Sequence, residues 1–129
     1  MDLMAIERVA ILLWNADVLH PHLCATPFSV AAAAAAMDAE VEIYFSARSV
    51  ELGIPGVASN LFPGADRERS LAEFMQHARD HGVRFYACAA SLKALGLTVE
   101  SCSPWFDGIA GASSLAARAL DANWRVLVF

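Results

Sequence analysis

The chain alternates between short apolar segments and longer segments with helical periodicity. The apolar segments are rich in β-branched and aromatic residues, and their length is typical of strands buried on both faces of a parallel sheet. Four of them are RVAILLW (8–14), VEIYF (41–45), VRFYA (83–87) and WRVLVF (124–129). A weaker segment, LTVES (97–101), predicts a further strand or an extended connection.

Helical patterns lie between these strands. The predicted helices are TPFSVAAAAAAMDAE (26–40), SLAEFMQHARDHG (70–82), SLKALG (91–96) and GASSLAARALDAN (111–123). The first has Thr26 as a candidate N-cap, followed by Pro27 at the first helical position. In the second, Ser70 and Glu73 have the spacing of a capping box.

Strands that alternate with helices over short connections favour right-handed crossovers and parallel pairing. The pattern therefore predicts a three-layer α/β/α fold with a mostly parallel sheet of about five strands. The 129 residues contain no internal repeat and no linker, so we expect a single domain over residues 1–129.

One segment, SARSVELGIPGVASNLFPGADRERS (46–70), interrupts the alternation. Loops of this length in a compact domain are usually functional covers, so we expect a mobile cover over a site. Its GIPG sequence (53–56) is the single candidate for a phosphate cradle, and it matches neither a P-loop nor a dinucleotide-binding motif. We therefore expect no cofactor.

Composition and charge narrow the class of protein. Nine basic and fourteen acidic residues give a net charge of −5 without a Lys/Arg cluster, so nucleic acid is not an expected partner. The N-terminal MDLMAIERVAILLW lacks the features of a signal peptide, and the apolar run VAAAAAAM (30–37) is far shorter than the roughly 20 residues of a membrane span. We expect a soluble cytoplasmic protein. The hydrophobic fraction of 57% favours burial of apolar faces in a homo-oligomer.

The three cysteines are odd in number and widely spaced, which indicates free thiols. Cys88 in RFYACAASLKALG stands where a strand pattern changes to a helix pattern. A helix N-terminus favours an anion, so a thiol there ionises below the free value of about 8.5 and becomes a better nucleophile. The alternative is that Cys88 is a small hydrophobic residue of the core.

Sites in open parallel sheets form at the carboxyl ends of the strands. This rule places Asn15, Ser46 and Cys88 at the same edge of the sheet, with Cys102 less directly implied. Other candidate pocket residues follow strand ends or lie in the connection before the last helix; they are Arg48, Ser91 and Trp105.

Two histidine patterns are candidates for a metal site. His20, His22 and Cys24 alternate, and on an extended segment they would point to one side and could ligate a metal. No second cluster completes the set, and Pro21 favours an ordinary loop. His77 and His81 are four residues apart and are better explained as a solvated helix end. We therefore expect no metal.

Three segments together resemble a known family. VEIYFSARSVEL, LAEFMQHARDHGVRFYACAASLKALGL and the terminal VLVF, in this order, resemble the DsrE/DsrF-like family of small sulfur-relay (TusD-like) proteins. The resemblance implies a parallel sheet with helices on both faces, assembly into trimers or hexamers, and donor and acceptor proteins as partners. It also implies that Cys88 carries sulfur as a persulfide.

Two functions are therefore open at this point. In the first, the protein is a sulfur carrier or sulfurtransferase that uses Cys88 as its nucleophile. In the second, it is a non-catalytic module of the same fold that binds a small ligand or serves in assembly. The intact Cys88 favours the first, whereas the lack of an obvious second acid or base keeps the second open.

Overall fold

The computed structural model describes residues 6–102 and 104–129. Its strands are β1 Arg8–Leu13, β2 Glu40–Phe45, β3 Arg84–Ala87, β4 Gly108–Ile109 and β5 Trp124–Val128. Its α-helices are α1 Ala25–Ala36, α2 Leu71–Asp80, α3 Ala89–Ala94 and α4 Ala112–Ala119. The prediction that the N-terminus is not a signal peptide rests in part on residues 1–5, which lie outside the described residues. None of the described helices is both long enough and apolar enough to cross a membrane.

The sheet has the strand order β4-β3-β2-β1-β5, and every pair of neighbours is parallel. The predicted three-layer α/β/α fold is confirmed. In the register, Leu13, Phe45 and Ala87 lie side by side at the carboxyl ends of β1, β2 and β3. The chain segments that follow these strands therefore leave the sheet at one edge.

The two faces of the sheet are covered differently. On one face, α1 and α2 enclose an aromatic cluster in which Phe28, Phe45 and Phe85 are fully buried, with ring centroids 5.3–6.0 Å apart. Successive strand residues alternate between faces, so Glu42 and Tyr44 belong to the opposite face. That face is covered by α4, which packs on β5 and β1.

The sequence predicted the start of α2 correctly but placed the start of α1 too far along the chain. In α2, the Ser70 backbone N–H donates to Glu73 Oε2 (2.7 Å) and the Glu73 N–H donates to Ser70 Oγ (3.4 Å), as the capping box predicts. Helix α1 begins at Ala25 with Cys24 as its N-cap, so the prediction of Thr26 as N-cap was wrong. The turn Pro21–Leu23 already leads the chain into the helix two residues earlier.

The prediction of an extended segment at 97–101 was also wrong. The Thr98 N–H donates to Ser101 Oγ (3.0 Å) and the Ser101 N–H donates to Thr98 Oγ1 (3.1 Å), and a 3₁₀ turn follows at Glu100–Cys102. These local side-chain bonds satisfy backbone groups that a strand would need for its ladder. The fourth strand is instead the short Gly108–Ile109.

The segment 46–70 is partly built into the core. It contains 3₁₀ helices at Ala47–Gly53 and Ala58–Asn60. Within the first of these, Ser49, Val50 and Leu52 are fully buried, and Ser49 Oγ donates to the Leu13 carbonyl (3.0 Å). The first third of the predicted mobile cover is therefore a fixed wall beside the carboxyl edge of the sheet.

Candidate functional site

Cys88 lies at the carboxyl edge of the sheet, between β3 and α3, and is the N-cap residue of α3. Its N–H donates to the Phe45 carbonyl (2.9 Å), which continues the β2–β3 ladder by one residue. Its own carbonyl accepts from the Leu92 N–H (3.0 Å), the first bond of the helix. The backbone is thus held on both sides, and the half-buried thiol has a defined position.

The thiol opens into a cleft of about 170 Å³ between the sheet and α4. The wall is mostly apolar, and Tyr44 contributes its ring from β2. The lining residues are Leu12, Tyr44, Phe45, Ser46, Cys88, Ala110, Gly111, Ala112 and Leu115. The sulfur atom therefore lies beside a mostly apolar surface.

The N-termini of two helices lie next to this thiol. Cys88 is the N-cap of α3, and Gly111, the N-cap of the eight-residue α4, lies across the cleft. A Cβ atom added to Gly111 would be 3.4 Å from Cys88 Sγ, so the glycine allows the start of α4 to approach the sulfur closely. Helix N-termini carry a partial positive charge and therefore stabilise a nearby thiolate.

Burial raises the pKa of the Cys88 thiol, but hydrogen bonds outweigh this effect and the net pKa lies below the ordinary value. The groups placed to donate are the Ser91 hydroxyl, the Ser91 and Ala90 backbone N–H groups and the Ser46 hydroxyl, although the two N–H groups do not reach the geometry of a full N-cap hydrogen bond. The Ser91 oxygen itself accepts from the Ala47 N–H (2.8 Å), which leaves its own proton free to point to the sulfur.

Ala47 holds this arrangement with an unusual backbone conformation. Its φ angle is +53°, in the left-handed region that residues other than glycine seldom adopt. The conformation aims its N–H at Ser91 Oγ. Backbone strain of this kind is maintained only where the surroundings determine it, and here it orients a hydroxyl that contacts the candidate nucleophile.

The predicted pocket residues do not all lie at the cleft. Ser46 and Ser91 lie with Cys88, and Arg48 lines a shallow groove of about 460 Å³ that Ser91 also borders. Asn15 lies at the end of β1 in a separate cavity formed with residues such as His22 and Phe129.

Trp105 and Cys102 lie away from the cleft. Trp105 stacks on Phe85, whose ring belongs to the aromatic cluster beneath α1 and α2. The Trp105 carbonyl accepts a hydrogen bond from Arg79 Nη1 (2.6 Å). Cys102 is fully buried, with its Cβ close to Gly53. Both residues therefore serve the core in this structure.

The cysteines differ in their environment. Burial, helped by the charge of Asp17, raises the pKa of Cys24 to about 12, and its thiol donates to the Asp17 and His20 carbonyls. Burial also raises the pKa of Cys102, which a hydrogen bond from Ser101 only partly offsets. Cys88 is the cysteine whose pKa is lowered.

Iodoacetamide at mildly acidic pH should therefore alkylate Cys88 first. The thiolate is the reacting form, so the rate should rise with pH and level off above the lowered pKa of Cys88. Cys24 and Cys102 should react only on unfolding, because both are fully buried. Peptide mapping over a time course measures the order, and faster labelling of either buried cysteine would contradict this assignment.

The candidate metal ligands do not meet at one point. The segment with His20, His22 and Cys24 is not extended as the metal hypothesis assumed, because Pro21–Leu23 form a 3₁₀ turn. Among the described residues, no three His, Cys, Asp or Glu side chains are placed to hold a metal ion. His77 and His81 are exposed, and His81 Nδ1 lies 2.9 Å from the His77 carbonyl at the end of α2.

Several residues of the site were not predicted from the sequence. Gly111 and Leu115 come from a helix more than 20 residues away in the chain, so no local signal marks them. Tyr44 lines the cleft and its hydroxyl donates to Glu42 Oε2 (2.5 Å). A charged residue inside the apolar segment VEIYF was the available signal, because a buried carboxylate requires partners.

The fold and the site together define a small parallel α/β domain with an ionisable thiol at the carboxyl edge of its sheet. A model of the DsrE/DsrF-like family matches residues 15–129, and the chain belongs to this family. No curated protein matches the chain in a sequence search.

Two solved structures share the fold. The YchN protein from E. coli superposes with a TM-score of 0.65 at 16% identity, covering 96% of this chain and 99% of that one. MTH1491 from Methanobacterium thermoautotrophicum, a protein of unknown function, superposes with a TM-score of 0.66 at 16% identity, covering 95% and 99%. At this identity the similarity establishes the fold alone.

Proposed function

We propose that the protein is a sulfur carrier that holds a sulfane sulfur on Cys88 as a persulfide. The observation that carries the proposal is the environment of this thiol. It has a lowered pKa, faces the N-termini of two helices and opens into an apolar cleft. Membership of the DsrE/DsrF-like family supports the same chemistry.

The reaction consists of two thiol exchanges. The Cys88 thiolate attacks the outer sulfur of a donor persulfide R–S–SH, a new S–S bond forms on Cys88, and the donor leaves as the thiolate R–S⁻. An acceptor thiolate then attacks the outer sulfur of Cys88–S–SH and releases the Cys88 thiolate. Atoms, charge and electrons balance in each step, so no external oxidant or reductant is consumed.

The site is suited to the intermediate as well as to the attack. A persulfide anion would face the same N–H and hydroxyl donors that lower the pKa of Cys88. The cleft wall beside the sulfur is apolar, with Leu12 and Leu115 in it, and offers few polar groups to hold a small-molecule acceptor. Release would then require a partner that brings its own thiol to the edge of the cleft, and we infer that donor and acceptor are proteins.

Incubation with an inorganic polysulfide tests this proposal. The intact protein should gain the mass of one sulfur atom, and peptide mapping should locate it on the Cys88 peptide. Addition of a peptide that bears a single free cysteine should move the sulfur to that peptide. If the mass stays unchanged, or if sulfur accumulates on Cys24 or Cys102, the protein is better described as a non-catalytic binding or assembly module.

We also infer that the chain self-associates. Large apolar side chains are exposed at several places, including Trp14 (62%), Leu19 (65%) and Leu120 (89%). Removing such side chains from water stabilises an interface by about 25 cal/mol per Å². Light scattering at micromolar concentration should report a mass well above the 13.8 kDa of one chain, with a trimer or hexamer expected. A monodisperse monomer would contradict this inference.

A further inference from the structure

Glu42 is a buried carboxylate on the face of the sheet below the cleft. Its side chain is only 3% exposed. Its oxygens accept from the Tyr44 hydroxyl (2.5 Å), from Arg84 Nη2 (3.3 Å), and from Arg118 Nε (3.2 Å) and Nη2 (3.1 Å). A buried carboxylate bound by four donors holds the groups around it in one arrangement.

Helix α4 is tied to the sheet at both ends, through the Ala110 N–H, which donates to the Ala87 carbonyl (3.1 Å) just before the helix, and through Arg118 at its C-terminal end. All eight of its residues are described, and none is buried. A helix so short and so little buried has little stability of its own. Arg118, in its last turn, binds Glu42 with both Nε and Nη2, and its guanidinium lies 4.1 Å from the centre of the Trp124 ring. This two-pronged bond connects the helix to the central strand of the sheet.

The opposite end of the same helix forms the site. Gly111, Ala112 and Leu115 line the cleft, with Gly111 next to Cys88 Sγ. We infer that Glu42 is a positioning residue, which through Arg118 holds the N-terminus of α4 against Cys88. The inference rests on the proposed function of Cys88 and adds to it the residue that sets the reactivity of the thiol.

A positioning role and a simple charge effect of Glu42 predict opposite changes in the pKa of Cys88 when Glu42 is lost. Removing a negative charge alone would stabilise the Cys88 thiolate and lower its pKa. Withdrawal of the α4 N-terminus would remove a partial positive charge and raise that pKa. Replacing Glu42 and Arg118 together leaves the net charge unchanged, so the first effect largely cancels and the second remains.

The test is the pH profile of Cys88 alkylation in the double variant Glu42→Gln/Arg118→Met. The plateau of the alkylation rate at high pH measures how accessible the thiol is. The pH at half of this plateau, the midpoint, measures the pKa at which the thiolate forms. Near neutral pH, the rate relative to the plateau should fall about threefold, the size expected for one helix terminus. Tyr44 is the other titratable group in the cleft. Burial, the largest cause, and its bond to Glu42 raise the pKa of Tyr44 to about 12 in the wild type, and burial still raises it without Glu42, which keeps Tyr44 neutral over this profile.

The chain offers a matched control. Arg8 Nε and Glu40 Oε2 form another Glu–Arg pair (3.0 Å) on the same face of the sheet, where both residues lie at the amino ends of β1 and β2, away from the cleft. The double variant Glu40→Gln/Arg8→Met removes the same two charge types from a more exposed pair, without touching α4, and should keep the wild-type midpoint.

The outcomes separate the two proposals. An unchanged or lowered midpoint in the Glu42/Arg118 variant, or an equal shift in the control, would overturn the positioning role. If the double variant does not fold, Arg118→Lys, which keeps the charge and loses the two-pronged bond, should shift the midpoint upward by a smaller amount, and an unchanged midpoint would overturn the role. Alkylation needs no sulfur donor, so a failure of Cys88 to load sulfur would leave this result intact.

Discussion

A Cys88→Ser variant is expected to lose sulfur loading from polysulfide by at least about a hundredfold, because the thiolate is the nucleophile and a serine hydroxyl stays protonated near neutral pH. The fold should be retained, since serine is among the best N-cap residues and Cys88 occupies the N-cap of α3. Intact-mass measurement after a fixed incubation gives the loaded fraction, and circular dichroism confirms folding.

Cys24→Ser is the matched control for this experiment. The Cys24 thiol donates to the Asp17 and His20 carbonyls, and a serine hydroxyl can donate to the same oxygens. This variant should load sulfur at the wild-type rate, because Cys24 is buried and its pKa is raised to about 12. Wild-type loading in Cys88→Ser, or loss of loading in Cys24→Ser, would remove Cys88 from the proposed mechanism.

A Gly53→Ala variant is expected to be destabilised by about 2 kcal/mol, because overpacking a filled site forces its neighbours to shift. An added Cβ would lie 2.5 and 2.7 Å from ring atoms of Phe106 and 3.3 Å from Cys102 Cβ. The Phe106 ring cannot move away freely, because it packs edge-on against the ring of the buried Phe45, with the two ring centroids 5.0 Å apart. Urea unfolding of variant and wild type measures the change.

Gly64→Ala controls for the general effect of replacing a glycine. The atoms nearest to its added Cβ belong to the carboxyl group of the exposed Asp66 side chain, which can rotate away at the cost of the bond that Asp66 Oδ1 accepts from the Glu68 N–H (3.1 Å). Restriction of the unfolded chain should make this variant neutral or more stable by about 0.5 kcal/mol. Equal stability of Gly53→Ala and Gly64→Ala would contradict the packing role of Gly53.

This packing also explains the GIPG sequence, the candidate for a phosphate cradle. Gly53 allows the Phe106 ring to approach, and Gly56 adopts a φ angle of +85° in the turn that follows. Both glycines therefore have a structural reason in this fold. A sequence pattern shows that glycine is present, whereas the neighbour that requires it is visible only after folding.

Local elements were predictable where their signals act over a few residues. The capping box of Ser70 and Glu73 set the start of α2, and the apolar segments located β1, β2, β3 and β5 because burial on both faces demands such composition. The prediction of a strand or extended connection at 97–101 was wrong because Thr98 and Ser101 bind each other locally. The two-residue strand Gly108–Ile109 is too short to leave a pattern.

The sequence by itself determined the fold class and the position of Cys88 at a strand-to-helix junction, since both depend on periodicity and on neighbours within one turn. Only the tertiary structure decided what surrounds the thiol. Gly111 reaches it from another helix, and Glu42 reaches Arg118 across 76 residues. Such contacts are made by packing α4 on the sheet, and packing depends on shape and partner geometry that no local pattern encodes.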